Sequence, residues 1–425
     1  MILAHGELID ANIEEKYLNG LYGECVQTLN RPNPVTREKV IRACDTLYQK
    51  AISGAFDGLI LPLLQMSDIS YERFLQMARL FSREELEYKC RIELGDLYDQ
   101  PEALKCGIGR KVYPLGILFH IAAGNVDGLP AYSVIEGLLT GNINLLKLPA
   151  GDNGVSVRLL WELIQQELDL KDYIYVFDVP STQTEPLKRF AQLADGIVVW
   201  GGDEAVQAAR AMAGPDTKII PWGHKLSFAY VTPAAKEEDL YRLAEHICET
   251  NQVLCSSCQG IYLDTEDVEL LEQFGKQFFE LLKKANGVLG KVDIGMRGKN
   301  TIRLYSDLLE QADTIMQGEG VSVVIKQDRE LELSYLFRNV WVKALPRKNL
   351  IEILKKHKNH LQTCGLLCEP QERAQLAELL ARAGIVRITG GNMSRTVAGE
   401  AHDGCYPLRE YSRIVENDAE IAAWH

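Results

Sequence analysis

The 425-residue sequence has no run of about twenty apolar residues, the length a helix needs to cross a bilayer, so no membrane span is expected. It has no surplus of positive charge either. Lysine and arginine number 46 against 59 acidic residues, a formal net charge of −13, which argues against a nucleic-acid partner because such a binder needs a basic face. A local basic pocket for an anionic cofactor stays open, since net charge says nothing of the local field. The start, Met1-Ile2-Leu3-Ala4-His5-Gly6-Glu7, lacks the basic stretch and apolar run of a secretory signal, so a cytoplasmic location is expected. The ten cysteines lack the spacing of a small disulfide scaffold and are expected to be reduced thiols. Short-period repeats and low-complexity linkers are missing as well. What remains is an ordinary globular balance, 46% hydrophobic and 25% charged, in a chain long enough for two or three domains.

Residues 1–104 are largely polar with helical spacing. Tyr71, Phe74, Leu75, Met77, Ala78 and Phe81 recur every three to four positions, and Ser82-Arg83-Glu84-Glu85 reads as a capped helix start with acids in its first turn. A helical region packed on the next domain is expected there. Over residues 105–235, short apolar runs at 116–121, 144–148, 173–177, 196–200 and 218–220 alternate with helical stretches at 130–139 and 155–168. This alternation predicts a parallel doubly wound sheet, whose ligands bind at the carboxyl ends of the strands. Over residues 236–390 it returns, with helices at 237–250, 268–285 and 350–357 and strands at 259–263, 322–325, 340–343 and 385–388. The fold class is therefore α/β, with two doubly wound domains. Residues 391–425 form a glycine-rich, polar tail in which 408–414 reads as a strand or an arm on a neighbour.

Four constellations could carry chemistry. Cys255, in Asn251-Gln252-Val253-Leu254-Cys255-Ser256-Ser257-Cys258, falls on a loop between a helix and a strand. Backbone N–H groups around such a thiol lower its pKa and make it a nucleophile, while a small buried thiol suits the same residue type. Cys255-x-x-Cys258 also permits a redox pair or half a zinc site. Zinc would need two more ligands; the nearest close pair downstream is Cys364 and Cys368, and nothing brings the pairs together, so no metal is expected. Asn125, in Ala122-Ala123-Gly124-Asn125, follows the first strand and suits either a turn or one half of an oxyanion hole. Lys147 ends an apolar strand, either as a solvent-facing charge or as a contact for a nucleotide ribose or phosphate. Trp200-Gly201-Gly202-Asp203 runs from strand into helix. Its glycines would let a phosphate approach the helix N-terminus, although it is not the G-x-G-x-x-G fingerprint and a bare Gly-Gly turn is a weak signal.

In this order the four pieces resemble the aldehyde dehydrogenase superfamily and, more narrowly, the LuxC-type acyl-CoA (fatty acyl) reductases. The carrying segments are residues 115–149, 198–206, 223–227 and 251–263, and the tail pieces Val386-Arg387-Ile388 and His402-Asp403-Gly404. The resemblance implies an NAD(P)-binding domain at 105–235, a catalytic domain at 236–390 and a C-terminal oligomerisation arm at 391–425, with a homodimer or homotetramer expected. It places Cys255 at the family nucleophile and Asn125 at the oxyanion hole. It sets Lys147 against the adenosine ribose, and Gly201 and Gly202, with Gly223, against the cofactor.

The departures from the family pattern are equally informative. Where hydrolytic members carry Glu-Leu-Gly-Gly-Lys, this chain has Pro221-Trp222-Gly223-His224-Lys225, so Pro221 stands in place of the carboxylate that activates water. Without that base an acyl-enzyme is poorly hydrolysed, and reduction or exchange with a thiol becomes productive. His224 is expected to exchange a proton there or to be a structural histidine. Ala150 replaces a glutamate that would repel a 2′-phosphate, which favours NADPH and leaves NADH admissible. Glu332 lies where a ribose-holding glutamate would fall, without the Phe-Gly-Pro that accompanies it. The expected reaction is reduction of an acyl-CoA or acyl-carrier thioester to the aldehyde. The alternatives are a CoA-acylating aldehyde dehydrogenase working oxidatively, a non-catalytic scaffold subunit, and a cysteine-based redox or metal-binding protein. His402-Asp403-Gly404 receives no catalytic role.

Overall fold

The apolar runs that alternate with helical stretches become strands wherever β-branched and aromatic residues cluster, and in chain order they number seventeen among the described residues. They are β1 (Ile2–Ala4), β2 (Glu7–Ile9), β3 (Glu102–Ala103), β4 (Gly109–Pro114), β5 (Ile117–Ile121), β6 (Ile143–Lys147), β7 (Ile174–Phe177), β8 (Gly196–Trp200) and β9 (Lys218–Trp222), then β10 (Leu226–Val231), β11 (Cys258–Leu263), β12 (Thr314–Gly318), β13 (Val321–Lys326), β14 (Asn339–Ala344), β15 (Leu361–Leu367), β16 (Arg387–Thr389) and β17 (Ser412–Asn417). The structure, a computed structural model, describes residues 1–10, 14–58, 60–61, 71–95, 102–103, 108–122, 128–149, 152, 154–289, 298, 302, 304–306, 314–318, 320–394 and 397–417. Two units divide the chain. One holds residues 1–223 and 397–425, the other residues 224–396.

In the first unit the sheet order is β2-β1-β7-β6-β5-β8-β9. The five strands from β7 to β9 run parallel, and β1 and β2 extend the edge antiparallel. The order reverses at β5, whose neighbours are β6 and β8. In a doubly wound sheet this reversal opens a crevice at the carboxyl ends of the strands, here beyond Ile121 and Trp200. Buried aliphatic and aromatic side chains from both sheet faces form the core, with Leu118, Phe119, Leu145, Val176, Phe177 and Ile197 fully enclosed. The preceding helices, Glu14–Leu29, Arg37–Ile52, Tyr71–Ala78 and Arg83–Leu94, belong to this unit, and Leu21, Cys25, Val40, Cys44, Leu86 and Cys90 from three of them join its core. Ser82 caps the last of them by accepting the Glu85 N–H at 3.4 Å. The two short strands at the N-terminus were not expected. Ile2, Leu3 and Ala4 are completely buried, with β1 between β2 and β7, and burial of three consecutive apolar residues favours a strand inside the sheet over a helix end.

The second unit has the order β12-β13-β14-β11-β10-β15-β16, with every pair parallel except β12 with β13. Its helices include Glu237–Thr250, Val268–Val288 and Pro370–Ala383. Where the sequence suggested a boundary after residue 235, the division falls at 223/224. The reason is β10, six wholly buried residues that pair with β11 and β15 and so belong to the second sheet.

In the tail a short helix, Pro407–Glu410, leads into β17, which pairs antiparallel with β4 in a three-stranded β17-β4-β3 sheet. A buried ion cluster fastens the tail: Lys89 Nζ reaches Glu93 at 2.5 Å and Glu136 at 2.9 Å, and the other oxygen of Glu93 accepts the Leu408 N–H at 2.8 Å. Desolvation, with the Glu93 carboxylate beside it, holds the Glu136 carboxyl above its ordinary range against the opposing pull of the Lys89 ammonium.

Candidate active site

Cys255 sits on the loop between the helix Glu237–Thr250 and β11, and its side chain is exposed. The helix ends because Asn251 and Gln252 both turn left-handed, at φ 47° and 63°. A tight turn follows, in which the Ser257 N–H donates to the Leu254 carbonyl and the Leu254 N–H to Ser257 Oγ, each at 3.0 Å. The Cys255 carbonyl accepts from Ser227 Oγ at 2.7 Å, and that oxygen in turn accepts the Thr363 N–H. The backbone on both sides of the thiol is thus fixed while Cys255 itself is exposed. The loop enters β11 at its amino end, so the carboxyl-end expectation drawn for doubly wound sheets does not extend to this residue.

Cys258 is a different kind of thiol. It is completely buried, donates to the Gly260 carbonyl at 3.2 Å, and burial pushes its pKa up to about 12. A thiol held protonated inside a sheet is a packing residue. Cys364, on β15, is likewise buried and pushed upward by desolvation. Among the described residues, no group of three or more His, Cys, Asp or Glu stands together to hold a metal ion.

On the first unit, Lys147 ends β6 and is buried, donating to Ser181 Oγ at 2.9 Å. Desolvation lowers its pKa, against the pull of Asp178. An ammonium with little water around it gains most from an anionic or polyhydroxyl ligand. Gly201 and Gly202 link β8 to the helix Asp203–Met212, which no side chain caps. A Cβ on Gly202 would meet nothing within 4 Å, and one on Gly201 would press on the Ala205 Cβ at 3.0 Å. At Gly202 the turn therefore presents bare backbone to open space, which suits close approach of a phosphate. Asp203 and Glu204 in the first helical turn oppose that charge. Gly223 lies close by, its Cβ position 3.9 Å from the Gly201 carbonyl.

Pro221 occupies β9 opposite Val199. His224 opens the second unit with an exposed side chain, and its carbonyl accepts from the His360 ring at 3.2 Å. Asn125 and Ala150 fall outside the described residues. Glu332 is engaged by lysines: its Oε1 meets Lys343 at 2.7 Å and Lys326 at 3.0 Å. That pairing satisfies the otherwise buried Lys343 ammonium and gives Glu332 a structural task.

Sequence reasoning left several residues unremarked. His246 accepts the Cys258 N–H at Nε2, 3.2 Å away, and bonds Ser394 Oγ through Nδ1. Gln252 and Gln259 bond to each other's backbone segments. Only their nearness to Cys255 could have singled them out. The tail motif also acquires a place: His402 lies 5.0 Å, ring to ring, from both Trp200 and Trp222, which end β8 and β9. The Trp200 indole N–H is held by Ser133 Oγ at 3.0 Å, and that of Trp222 by the Tyr411 hydroxyl at 3.2 Å.

The fold defines a class first. The chain superposes on aldehyde dehydrogenases, among them aldehyde dehydrogenase 21 from Physcomitrella patens in complex with succinate (TM-score 0.73, 12% identity, 96% of this chain and 90% of that one). Another is an indole-3-acetaldehyde dehydrogenase complexed with NAD+ (TM-score 0.71, 13% identity, 96% and 89%). At such identities the likeness concerns the fold. The family follows from sequence: residues 44–414 match the model of the acyl-CoA reductase (LuxC) family, and the chain belongs to that family. Relatives include a long-chain acyl-protein thioester reductase of Vibrio harveyi, 26% identical over 77% of this chain and 69% of its own length. A long-chain acyl-protein thioester reductase 2 of Photobacterium leiognathi is 23% identical over 93% and 85%. The chain is an oxidoreductase of the kind that reduces an acyl thioester to an aldehyde.

Proposed function

We propose that this reduction proceeds through an acyl-enzyme on Cys255, with NADPH as cofactor and a long-chain acyl thioester, on CoA or on a carrier protein, as substrate. The observation that carries the reading is the contrast within Cys255-x-x-Cys258. One thiol is exposed on a braced loop, and the other is buried and protonated. The Cys255 thiolate forms a bond to the thioester carbonyl, the carbon–sulfur bond to the donor breaks, and the departing thiolate takes up a proton. The Asn125 amide and the Cys255 backbone N–H hold the oxyanion of the tetrahedral intermediate, and such a donor contributes about 3–4 kcal/mol. The bound dinucleotide supplies the hydride. Cys255 then leaves the reduced carbon as the thiolate, and the carbonyl of the aldehyde forms. His224 exchanges the proton with solvent.

Lys147, Gly201, Gly202 and Gly223 fit the dinucleotide, since a desolvated ammonium and two Cβ-free turns offer it charge and close approach. Ala150, lacking a carboxylate, tolerates a 2′-phosphate. The relatives' names supply the long acyl chain. An assembly of two or four chains in the cytoplasm completes the proposal. No helix among the described residues is long and apolar enough to cross a membrane.

The test is a panel of acyl-CoA chain lengths with NADPH and with NADH, following absorbance loss and aldehyde together, in the parent and in Cys255→Ala. The expected result is aldehyde formation that favours long chains and NADPH and vanishes in the variant. Normal turnover by Cys255→Ala would refute it.

A further inference from the structure

Resting on the reading of Cys255 as nucleophile, we infer that Gln252 and Gln259 form a clasp that positions the Cys255 loop, anchored by the left-handed segment 336–338. Each glutamine bonds to the backbone beside the other. Gln252 Nε2 donates to the Cys258 carbonyl at 3.0 Å and the Gln259 carbonyl at 3.4 Å, while Gln259 Nε2 donates to the Gln252 carbonyl at 2.9 Å. The clasp closes the chain on both sides of Cys255, from residue 252 to residue 259. Both side chains are buried, so each amide bond is made away from water, where losing a partner is most costly.

The remaining acceptors tie the clasp to one external segment. Gln252 Oε1 accepts the Asn339 N–H at 3.0 Å, and Gln259 Oε1 accepts the Ser334 N–H at 3.2 Å and its hydroxyl at 2.8 Å. Between these anchors, Leu336, Phe337 and Arg338 are all left-handed, with φ of 56°, 49° and 70°. Three successive non-glycine residues in that region are unfavourable for L-amino acids and persist only where the surroundings over-determine them. The surroundings here are the loop itself: the Phe337 N–H donates to the Asn251 carbonyl at 2.9 Å and Arg338 Nε to Asn251 Oδ1 at 3.1 Å. Segment and loop hold each other, and the thiol they carry is the exposed one. A nucleophile's rate depends steeply on such placement, since displacement by about 1 Å can cost on the order of 10²-fold. The bonds of Gln252 and Gln259 run to backbone groups of the loop and to Ser334 and Asn339, which makes both of them positioning residues.

The test measures single-turnover acylation of the full-length protein by radiolabelled tetradecanoyl-CoA, with iodoacetamide alkylation of Cys255 across pH as a second readout. Gln252→Ala is expected to slow acylation about 10- to 100-fold and to change the alkylation profile, with KM for acyl-CoA and NADPH within about threefold of the parent. Gln252→Glu, which fills the same space but cannot donate to two carbonyls, is expected to behave like Gln252→Ala. Rescue by Glu would show a space-filling role and overturn the inference. Folded Gln252→Ala that acylates at the parental rate would overturn it too. Should Gln252→Ala fail to fold, Ser334→Ala removes the hydroxyl that donates to Gln259 Oε1 and accepts the Leu336 N–H, is expected to slow acylation several-fold, and overturns the inference if it does not. Label incorporated by Cys255→Ala would instead refute the nucleophile assignment itself.

Discussion

Three residues apart, Cys255 and Cys258 show how environment divides one side chain into two chemistries. Burial in β11 holds Cys258 as a thiol, while Cys255 stays exposed on its loop. Alkylation by iodoacetamide near pH 8 is therefore expected to reach Cys255 and to spare Cys258, Cys248 and Cys364, as peptide mapping would show; equal labelling of Cys258 would contradict the assignment. His120 gives a pH prediction. It is completely buried on β5 between Ser133 Oγ and Asn144 Oδ1, and desolvation pulls its pKa down to about 4. The folded state thus binds fewer protons here than the unfolded state between pH 6.5 and 4. The neutral imidazole's contribution is present above the unfolded value and is lost as pH falls through this window, an effect of about 3 kcal/mol. Urea unfolding at several pH values should show that slope, and His120→Gln should flatten it.

At the scale of elements, the sequence was most legible where a single period ran uninterrupted. The helix Glu237–Thr250 has the bounds its spacing predicts, and Ser82 caps the helix its Glu84 and Glu85 announce. Ser82→Ala should cost about 1 kcal/mol in unfolding free energy, and a change within error would show the cap to be idle. Strands β10 and β15 went unseen because polar and small residues interrupt them, Ser227 in the one and Gln362, Thr363 and Gly365 in the other, and their burial became evident only with their partners. The short strands β1 and β2 lie in sequence that looks like the start of a helical region. At the candidate site, Cys255, Lys147 and the Gly201-Gly202 turn are each a weak signal alone and could be picked out only by their order along the chain. The clasp could not, since glutamine is common and its partners, Ser334 and Asn339, lie about eighty residues away in the chain. Gly260 carries a further prediction. A Cβ there would lie 2.0 Å from the buried Trp341 indole, so Gly260→Ala should destabilise by about 3 kcal/mol or more, with unfolding at a parental midpoint as the contrary result.

For the molecule as a whole, the tail returns to the first unit. Leu408 and Tyr411 are completely buried, β17 pairs with β4, and His402 lies against Trp200 and Trp222 at the carboxyl ends of their strands. The last segment of the chain is thus part of the structure that carries Lys147 and the glycine turn. Leu408→Ala should lower unfolding free energy by about 2–5 kcal/mol, and a loss under about 1 kcal/mol would show the tail to be merely appended. The central claim is that reduction runs through a thioester on Cys255. Its most direct test is to mix the protein with tetradecanoyl-CoA without NADPH, map the adduct by mass spectrometry, and then add NADPH. The account predicts one acyl group on the Cys255 peptide, discharged as aldehyde when NADPH is added. An acyl group on another residue, or steady aldehyde production with Cys255 never acylated, would contradict it.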